Sequence, residues 1–353
     1  MAGPEPGRVG RAGGLLHAWD LDRALTRNGD GRLRVALVGA GWIMPFHIAG
    51  LDRLGRTRLV GVASTRLTHA ATLAEPYGAA VYDDVRRLLD LERPEAVVVA
   101  VPPHVAPAVL AELIERDIPF LAEKPLAATD AAGPARIAAA IAARGLVAAV
   151  GYHFRGLDAL AEVHDRLTGT TIHLVTARWL SGTPAAPWWR REELGGGQVV
   201  EQATHLYDLA RHLVGEATVT GAASTREEPS VPEGTDVVDA TAAILRFANG
   251  AIGSFANTRR LAGSVVEMEI AAGDLLVTIR RVGDAPGSCE VVFDDGTAPR
   301  TVPPGRDPYE VQAAAFLDAV EVGAPERVLS TYADALRTDR LTRAVVAATG
   351  RAG

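Results

Sequence analysis

The apolar positions of residues 33–150 form short continuous runs, separated by stretches in which apolar residues recur every three or four positions. Continuous runs predict buried β-strands, and the longer period predicts amphipathic helices. The predicted strands are Leu33–Val38, Leu59–Ala63, Ala96–Val101, Ile118–Ala122 and Leu146–Val150, and the predicted helices cover about 42–54, 68–76, 84–91, 103–116 and 130–144. Apolar strands that alternate with helices indicate a parallel sheet covered on both faces. We therefore predict a doubly wound α/β domain.

The pattern changes after residue 151, where strands follow one another without helices between them. The predicted elements are helices at about 156–168, 197–214, 308–321 and 331–348, and strands at Thr171–Leu180 and about 236–247, 250–258, 264–271, 274–281 and 288–293. Asn249-Gly250 and Ala272-Gly273-Asp274 are typical of tight hairpin turns. We therefore predict an α+β C-terminal domain with an open, mainly antiparallel sheet.

These patterns divide the chain into three segments: an N-terminal extension (1–32), a first domain (33–151) and a second domain (152–353). The extension is rich in Gly and Arg and contains a short amphipathic piece, Leu15 to Leu25. Whether the last two helices pack back on the first domain stays open.

Composition and charge exclude several classes of function. A net charge of −7 without a block of Lys or Arg argues against a nucleic-acid partner. No apolar run reaches the roughly 20 residues that span a bilayer, and the N-terminal residues do not show the charged-then-apolar pattern of a signal peptide. Because Cys289 is the sole cysteine, no intramolecular disulfide forms. We expect a cytoplasmic protein without membrane contact.

The first predicted strand leads into a turn with two glycines, Gly39 and Gly41, and then into a helix. In the Rossmann fold the first glycine permits the sharp turn, and the second lets the backbone approach a pyrophosphate at the helix N-terminus. Met44 stands where a third glycine or alanine is usual, which predicts a wider contact between helix and strand. We expect this turn, with Trp42 and Ile43, to bind a dinucleotide; an ordinary βα turn is the alternative.

The second predicted strand ends at Ser64, Thr65 and Arg66. An enzyme specific for NAD normally has Asp or Glu here to bind the ribose 2′-hydroxyl. Hydroxyl and guanidinium groups instead bind a 2′-phosphate, and no carboxylate among them repels it. We therefore predict that these three residues bind the cofactor and that NADP(H) is favoured over NAD(H). Dual cofactor use, and a solvated Arg66 at a helix start, are the alternatives.

Glu123-Lys124-Pro125 follows the fourth predicted strand, at the edge where ligands bind in open α/β sheets. An ammonium group at this edge hydrogen-bonds a substrate hydroxyl and stabilises an alkoxide during hydride transfer. Pro125 fixes the turn and is compatible with a cis peptide bond. We predict that Lys124 is catalytic and that Glu123 and Lys124 contact the cofactor; a surface turn is the alternative.

The two-glycine turn, Glu123-Lys124-Pro125, and the triple glycine at 195–197 that leads to His205 resemble the glucose–fructose oxidoreductase, inositol dehydrogenase and rhizopine-catabolism (Gfo/Idh/MocA) family. The resemblance covers about residues 33–348, and its motifs do not name a substrate. It implies a two-domain NAD(P)-dependent oxidoreductase that acts on a sugar, cyclitol or nucleotide sugar. It also implies a homodimer or homotetramer assembled through the open sheet of the second domain.

The helix predicted after the triple glycine carries Glu201 and His205, which are four residues apart and so share a face with Asp208. A histidine beside a carboxylate takes up the hydroxyl proton as hydride leaves, while the carboxylate orients the ring or binds a neighbouring hydroxyl. The family usually has Asp where Glu201 stands. We predict that both residues are catalytic and that His205 touches substrate; a core histidine is the alternative.

The same helix also suggests metal ligands, because Glu201, His205, Asp208 and His212 form one stripe. On a straight helix this stripe extends about 16 Å, so the four side chains do not meet one ion with bonds near 2 Å. A two-ligand site completed from elsewhere stays open, but we predict no metal.

The resemblance implies two further cofactor contacts. Pro102 and His104 follow a predicted strand, where the family has a Pro-containing turn near the nicotinamide. The usual histidine of the family corresponds to Ala106, so His104 is not its direct equivalent.

Four further positions are implied as substrate contacts. Tyr152 and Arg155 lie at the junction of the two predicted domains, where the family has an aromatic residue and an arginine close to substrate. Trp189 and Arg190 match a Trp-Arg pair of the family, and an aromatic face suits a sugar ring. Packing is the alternative role for each of them.

Together these features predict reversible hydride transfer between NAD(P) and a secondary alcohol or ketone of a polyhydroxylated substrate. In this scheme Lys124 polarises the hydroxyl, His205 acts as acid and base, and Glu201 orients. A lyase or retained-cofactor enzyme that uses transient oxidation is one alternative, and a non-catalytic dinucleotide sensor is another. A sensor needs neither Lys124 nor His205.

Overall fold

The computed structural model describes residues 31–350, which fold around two β-sheets. The strands are β1 (Leu33–Val38), β2 (Thr57–Ala63), β3 (Ala80–Tyr82), β4 (Ala96–Val99), β5 (Phe120–Ala122), β6 (Ala148–Val150), β7 (Ile172–Leu180), β8 (Ala217–Thr225), β9 (Ala240–Phe247), β10 (Ile252–Thr258), β11 (Val265–Ala272), β12 (Leu275–Arg281), β13 (Cys289–Asp294) and β14 (Arg300–Val302). The helices are α1 (Met44–Leu54), α2 (Leu67–Ala74), α3 (Val85–Glu92), α4 (Ala106–Glu115), α5 (Gly133–Arg144), α6 (Leu160–Leu167), α7 (Glu192–Gly195), α8 (Gly197–Glu201), α9 (Thr204–Val214), α10 (Pro308–Val322) and α11 (Tyr332–Ala348). Short 3₁₀ helices lie at Glu75–Tyr77, His153–Gly156, Pro187–Arg190 and Pro325–Arg327.

The first sheet has six parallel strands in the order β3-β2-β1-β4-β5-β6. Strands β4, β5 and β6 are buried along their whole length because apolar clusters cover both faces. Strand order reverses between β1 and β4, which opens a crevice at the carboxyl ends of these strands. The predicted doubly wound α/β fold is confirmed.

The second sheet has eight strands in the order β14-β13-β12-β11-β7-β10-β9-β8. Strands β7 and β10 pair in parallel, and the other neighbouring strands are antiparallel. Residues along β9 and β10 alternate between buried and exposed, so one face packs on the core and the other is open. Gly250 and Gly273 adopt positive φ angles, 92° and 56°, in the two predicted hairpin turns. The open, mainly antiparallel sheet is therefore confirmed.

Three strands were not predicted. Strands β3 and β14 have three residues each and lie at the edges of their sheets. Strand β8 consists largely of small residues, and its register shifts between Val219 and Gly221. A bulged strand of small residues lacks the apolar alternation that identifies a strand in sequence.

The prediction of one continuous helix over 197–214 is wrong. Helix α8 ends at Glu201, and α9 begins at Thr204. At the break, the N–H of Ala203 donates to the Gln198 carbonyl, one residue farther back than in a regular α-helix. Glu201 and His205 therefore lie on different helices, and the helix-face argument that paired them does not apply.

The last two helices return to the first sheet. Phe316 and Leu317 of α10 belong to the apolar cluster that contains β1. Before α11, Thr331 forms a bridge with Ala149 of β6, and Ser330 accepts a hydrogen bond from the N–H of Val150. The C-terminal end of the chain thus stabilises the edge of the parallel sheet that carries β6.

The predicted N-terminal extension, including Leu15 to Leu25, lies outside the described residues except for its last two positions. Within residues 31–350, every helix is too short or too polar to cross a membrane.

Candidate functional site

Gly39 forms the turn between β1 and α1. Its φ angle is 103°, and a Cβ atom on this residue would lie 2.1 Å from the carbonyl oxygen of Ala100. The N–H of Gly39 donates to the Ala63 carbonyl at 2.8 Å. The turn thus lies between the carboxyl ends of β2 and β4. The close contact and the positive φ angle at this position favour glycine over residues with a side chain.

Gly41 borders an open space. A Cβ atom there would come no closer than 3.8 Å to another group, the Nη2 atom of Arg66. Among residues 31–350, no group accepts a hydrogen bond from the N–H of Gly41, Trp42 or Ile43, and α1 begins immediately afterwards. Free N–H groups at a helix N-terminus attract anions, so this turn fits the pyrophosphate of a dinucleotide.

Met44, which replaces the third glycine, is fully buried. It belongs to the apolar cluster around β1, together with Leu37 and Val62. Its side chain therefore packs between α1 and the first sheet. Trp42, two residues earlier, is exposed.

Arg66 reaches from the end of β2 to the glycine turn. Its Nη2 donates to the Ala40 carbonyl at 3.2 Å, and its backbone N–H donates to Ser64 Oγ at 3.1 Å. Thr65 and Arg66 are exposed, and Ser64 is half-buried. The structure therefore brings the Arg66 guanidinium to the open space beside Gly41.

Lys124 connects the two halves of the site. Its Nζ atom donates to Oε1 and to the backbone carbonyl of Glu201, both at 2.7 Å. The second carboxylate oxygen of Glu201 accepts a hydrogen bond from Trp189 Nε1 at 2.8 Å. The Lys124–Pro125 peptide bond is cis. A largely buried ion pair thus joins the loop after β5 to the end of α8.

Glu123 is paired with His47, which the sequence analysis did not identify. His47 Nε2 lies 2.8 Å from Glu123 Oε1, and both side chains are buried. Burial would raise the pKa of Glu123, but the hydrogen bond with His47 and the charges of His47, Lys124 and His153 outweigh it and lower the pKa below its usual range. The pair links α1, which follows the glycine turn, to the Lys124 loop.

His205 is buried at the start of α9, with 4% of its surface exposed. Its ring contacts the rings of Tyr152, His153, Phe154 and Trp179 at centroid separations of 4.5–5.9 Å. Burial, followed by the charges of His153 and Lys124, holds the pKa of His205 well below its usual 6.5. The imidazole is therefore neutral near pH 7.

The expectation that Glu201 orients His205 is not met. Both carboxylate oxygens of Glu201 are bonded elsewhere, to Lys124 and Trp189. Asp208, expected on the same stripe, instead accepts hydrogen bonds from Arg155 and Thr338. The residues described between 31 and 350 include no group of three or more His, Cys, Asp or Glu side chains with the arrangement of a metal site.

Tyr152 and Arg155 are bonded to protein groups. The hydroxyl of Tyr152 shares a 2.9 Å hydrogen bond with Thr204 Oγ1. Arg155 donates twice to the Asp208 carboxylate, at 2.7 and 2.6 Å, and also pairs with Asp334. Arg155 thus ties the segment after β6 to α9 and α11, and its guanidinium does not need a substrate to be satisfied.

The remaining expected contacts flank this centre. His104 Nδ1 lies 3.2 Å from the carbonyl oxygen of Leu194, and the side chain is exposed. Pro102 is half-buried at the turn after β4. Arg190 is half-buried, its guanidinium forms no ion pair with any of residues 31–350, and its buried Nε atom has no hydrogen-bond partner among them.

Gln198 is a buried polar residue that the sequence analysis missed. Its Nε2 atom donates to the Thr258 carbonyl at 2.9 Å, and its Oε1 atom accepts from Asn257 Nδ2 at 2.8 Å. These bonds attach α8 to β10. The position of Glu201 at the end of α8 therefore depends on Gln198, although its partners are about 60 residues away in sequence.

Comparison with known families decides the assignment. Residues 33–152 match the oxidoreductase family with NAD-binding Rossmann fold, GFO/IDH/MocA. Residues 163–297 match the GFO/IDH/MocA C-terminal domain. The chain belongs to this family. The GFO/IDH/MocA resemblance inferred from the motifs is thereby confirmed, and the parallel sheet corresponds to the NAD-binding Rossmann unit of the family.

Characterised relatives of this GFO/IDH/MocA chain include two sugar dehydrogenases. D-glucoside 3-dehydrogenase of Escherichia coli is 31% identical over 194 residues, which cover 52% of this chain and 54% of the relative. Levoglucosan dehydrogenase of Pseudarthrobacter phenanthrenivorans is 26% identical over 272 residues, which cover 65% of this chain and 68% of the relative. The aligned region thus spans only part of either relative.

Solved structures extend the likeness to the whole fold. Levoglucosan dehydrogenase in complex with NADH and levoglucosan superposes with a TM-score of 0.78 at 23% identity, covering 90% of this chain and 97% of the other. A 3-ketoreductase from Actinomadura kijaniata in complex with NADP and TDP-benzene superposes with a TM-score of 0.79 at 22% identity, covering 90% and 98%. At this identity the likeness establishes a shared fold.

Proposed function

We propose that this GFO/IDH/MocA chain catalyses reversible NAD(P)-dependent hydride transfer at a secondary alcohol or ketone carbon of a sugar, cyclitol or sugar-containing metabolite. The observation that carries the proposal is the position of Lys124. Its ammonium group follows β5 at the carboxyl edge of the parallel sheet, the edge that also carries the glycine turn after β1, and is held by Glu201 from the second half of the chain. Ligands of open α/β sheets bind at this edge.

The residues of the glycine turn and of the end of β2 would hold the cofactor. A bound nicotinamide dinucleotide supplies the acceptor or donor of hydride. We assign its pyrophosphate to Gly39, Gly41, Trp42 and Ile43, and the side nearer the nicotinamide to Pro102, His104, Glu123 and Lys124. We further propose NADP(H) over NAD(H), because Ser64, Thr65 and Arg66 present donors and no carboxylate to a 2′-phosphate.

Lys124 would polarise the substrate hydroxyl, and His205 would accept its proton. The Lys124 ammonium donates a hydrogen bond to the substrate oxygen and stabilises negative charge there as the C–H bond breaks. His205 takes the hydroxyl proton on a ring nitrogen, which its neutral state at pH 7 allows. In the reverse direction His205 returns this proton to the oxygen of the ketone.

The surrounding contacts suggest roles that differ from the sequence-based expectation at three positions. We propose that Glu201 orients Lys124 rather than His205, because one of its carboxylate oxygens accepts a hydrogen bond from Lys124 and the other accepts one from Trp189. Arg155 and Tyr152 would position α9 through Asp208 and Thr204. Substrate contacts would then come from Trp189, Arg190 and His205.

The names of the relatives support the substrate class. They act, by name, on a D-glucoside, on levoglucosan and on inositol. All three compounds are rings with several secondary hydroxyls. An ammonium, an arginine and an aromatic face are groups that bind such rings.

A turnover screen tests the proposal. Purified protein is incubated with NADP⁺ or NAD⁺ and a panel of glucose, glucosides, levoglucosan and inositol, and formation of reduced cofactor is followed by absorbance. Turnover of at least one polyol with loss in Lys124→Met supports hydride transfer. A product without net redox change favours the lyase alternative, and nucleotide released only by denaturation favours a retained cofactor. No turnover and no nucleotide binding would contradict the proposal.

We also propose a homodimer or homotetramer assembled through the open face of the second sheet. Four apolar side chains on this face are between 36% and 45% exposed: Leu174, Ile244, Ile252 and Leu276. Ile252, Leu174, Ala271 and Leu276 are successive register partners across β10, β7, β11 and β12. An apolar row of this kind is typical of an interface. Light scattering should give a dimer or tetramer that Ile252→Glu dissociates, and a wild-type monomer would contradict this assembly.

A further inference from the structure

His153 is a buried histidine beside the proposed catalytic centre that the function above does not use. It begins the 3₁₀ helix that follows β6 and is 4% exposed. Its ring stacks on Tyr309 with centroids 4.8 Å apart, and it meets His205 at 4.5 Å with the ring planes 65° apart. His153 therefore lies between a phenol and the histidine that would take the substrate proton.

The two histidines have complementary unsatisfied atoms. Among residues 31–350, the buried Nε2 of His153 and the buried Nδ1 of His205 have no hydrogen-bond partner. The other nitrogen of His153, Nδ1, lies 3.4 Å from the Tyr309 hydroxyl. A neutral imidazole has one N–H donor and one acceptor nitrogen, so the two unsatisfied atoms can serve as one donor and one acceptor. Pairing them would remove the penalty of two buried unsatisfied groups.

The other rings around His205 do not offer the same acceptor. The Tyr152 hydroxyl is already bonded to Thr204, and Phe154 has no polar atom. The Trp179 indole N–H donates but does not accept. Among the four rings that contact His205, His153 is therefore the one with an unused acceptor nitrogen.

We propose that His153 is a positioning residue for His205. In this arrangement Nδ1–H of His205 donates to Nε2 of His153, and Nδ1–H of His153 donates to the Tyr309 oxygen. The ring centroids lie 4.5 Å apart, so this bond requires a small displacement of the rings in addition to rotation about Cβ–Cγ. The resulting tautomer leaves Nε2 of His205 free to take the substrate proton, so the inference rests on the proposed function.

Charges near the two rings are compatible with this arrangement. Burial lowers the pKa of His153 to about 4, and the charges of Lys124 and His47 act in the same direction, while those of Glu123 and Asp307 act to raise it. The ring therefore keeps its acceptor nitrogen above pH 5. Burial first, then Glu123 and Asp307, raises the pKa of Tyr309, which stays a phenol. The titratable groups that act on His205 are His153, from the segment after β6, and Lys124, from the loop after β5.

The test uses two variants of similar size. His153→Gln keeps an oxygen that accepts the His205 N–H, whereas His153→Phe keeps an aromatic ring and removes the acceptor. Nitrogen NMR of ¹⁵N-histidine-labelled protein reports the tautomer of His205. We expect Nδ1–H in wild type and in His153→Gln, and Nε2–H in a substantial fraction of His153→Phe.

Kinetics give a second readout. His153→Phe should lower kcat by about 10- to 100-fold with little change in KM, because the tautomer that accepts the proton is depopulated. The acidic limb of its kcat profile should move to lower pH, because the imidazolium of His205 loses its acceptor. His153→Gln should keep kcat within about threefold of wild type and leave the limb in place.

Four results would decide against the inference or separate it from the proposed function. If the His205 tautomer is the same in all three proteins, His153 has only a packing role. The same conclusion follows if both variants lose kcat equally and the acidic limb of the kcat profile does not move. If His153→Phe does not fold, Tyr309→Phe is used in its place. This variant should change the tautomer of His153, and an unchanged tautomer would contradict the proposed hydrogen bonds. The His205 tautomer could depend on His153 in a protein that turns over no polyol. This result would support the pairing of the two histidines and contradict the proposed function.

Discussion

Lys124 and Glu201 meet across the junction of the two sheets. The Lys124 Nζ atom lies 2.7 Å from Glu201 Oε1, although 77 residues separate the two positions. The lysine belongs to the loop after the parallel strand β5, and the glutamate ends a helix attached to the second sheet. The proposed catalytic cation is therefore positioned by a residue of the other half of the chain.

Removing this cation should affect activity and stability by separable mechanisms. We expect Lys124→Met to lower kcat by about 10²- to 10⁴-fold. It should also lower the free energy of unfolding by about 1–3 kcal/mol, because Glu201 loses its partner in a largely buried site. Turnover and urea denaturation measure the two effects.

The double variant Lys124→Met/Glu201→Gln is the control for this pair. It should regain much of the lost stability, since no buried carboxylate is left unpaired, while its activity stays low. Full activity of Lys124→Met would show that Lys124 is not required for catalysis. Equal destabilisation in the single and the double variant would show that the ion pair contributes little to stability.

Much of the fold could be predicted because its strands are marked by local apolar patterns. Strands such as β1 and β4 are almost continuous apolar runs. The break between α8 and α9 could not be predicted, because neither Gln202 nor Ala203 is a helix breaker. Its cause is tertiary: Gln198 is fixed by bonds to β10.

The local motifs of the candidate site could be predicted from the sequence, but the pairings between its side chains could not. The glycine turn and the lysine after β5 have local signatures, so their residues could be named from sequence. The partnership of His47 with Glu123 spans 76 residues, and that of Arg155 with Asp334 spans 179. Such pairings depend on how helices pack on the sheets, and no local pattern encodes them.

Gly151 should be essential for the Glu123–His47 pair. A Cβ atom at this position would lie 2.8 Å from Glu123 Oε1, the oxygen that pairs with His47 in a buried contact. We expect Gly151→Ala to lower the free energy of unfolding by about 1–3 kcal/mol through overpacking. Gly263→Ala is the matched control, because no atom lies within 4 Å of its Cβ position. Equal stability of the two variants in urea would contradict the crowding at Gly151.

Stability should fall as the pH falls from 6.5 to 4. Burial lowers the pKa of His153 to about 4 and keeps that of His205 well below 6.5, whereas both titrate near 6.5 in the unfolded chain. In this range the unfolded chain binds more protons than the folded one. Each such histidine therefore removes about 1.4 kcal/mol of stability per pH unit, and the loss begins below pH 6.5.

Urea denaturation of wild type and His153→Gln at several pH values between 7.5 and 4.5 measures this effect. The variant lacks one titrating histidine, so its free energy of unfolding should decline less steeply, by about 1.4 kcal/mol per pH unit. Above pH 7 the two proteins should differ by a constant amount. Parallel curves over the whole range would mean that His153 titrates normally in the folded protein.

Arg66 should determine the preference between NADPH and NADH. No carboxylate within residues 31–350 pairs with its guanidinium, which reaches the glycine turn through the Ala40 carbonyl. We expect Arg66→Ala to weaken NADPH binding by about 10- to 100-fold through loss of charge-assisted hydrogen bonds, and NADH binding by less than about threefold. Fluorescence titration measures both. Arg58→Ala, an exposed arginine at the other end of β2, should change neither affinity. Equal weakening of NADPH and NADH by Arg66→Ala would instead mean that Arg66 supports the shape of the turn and does not read the 2′-phosphate.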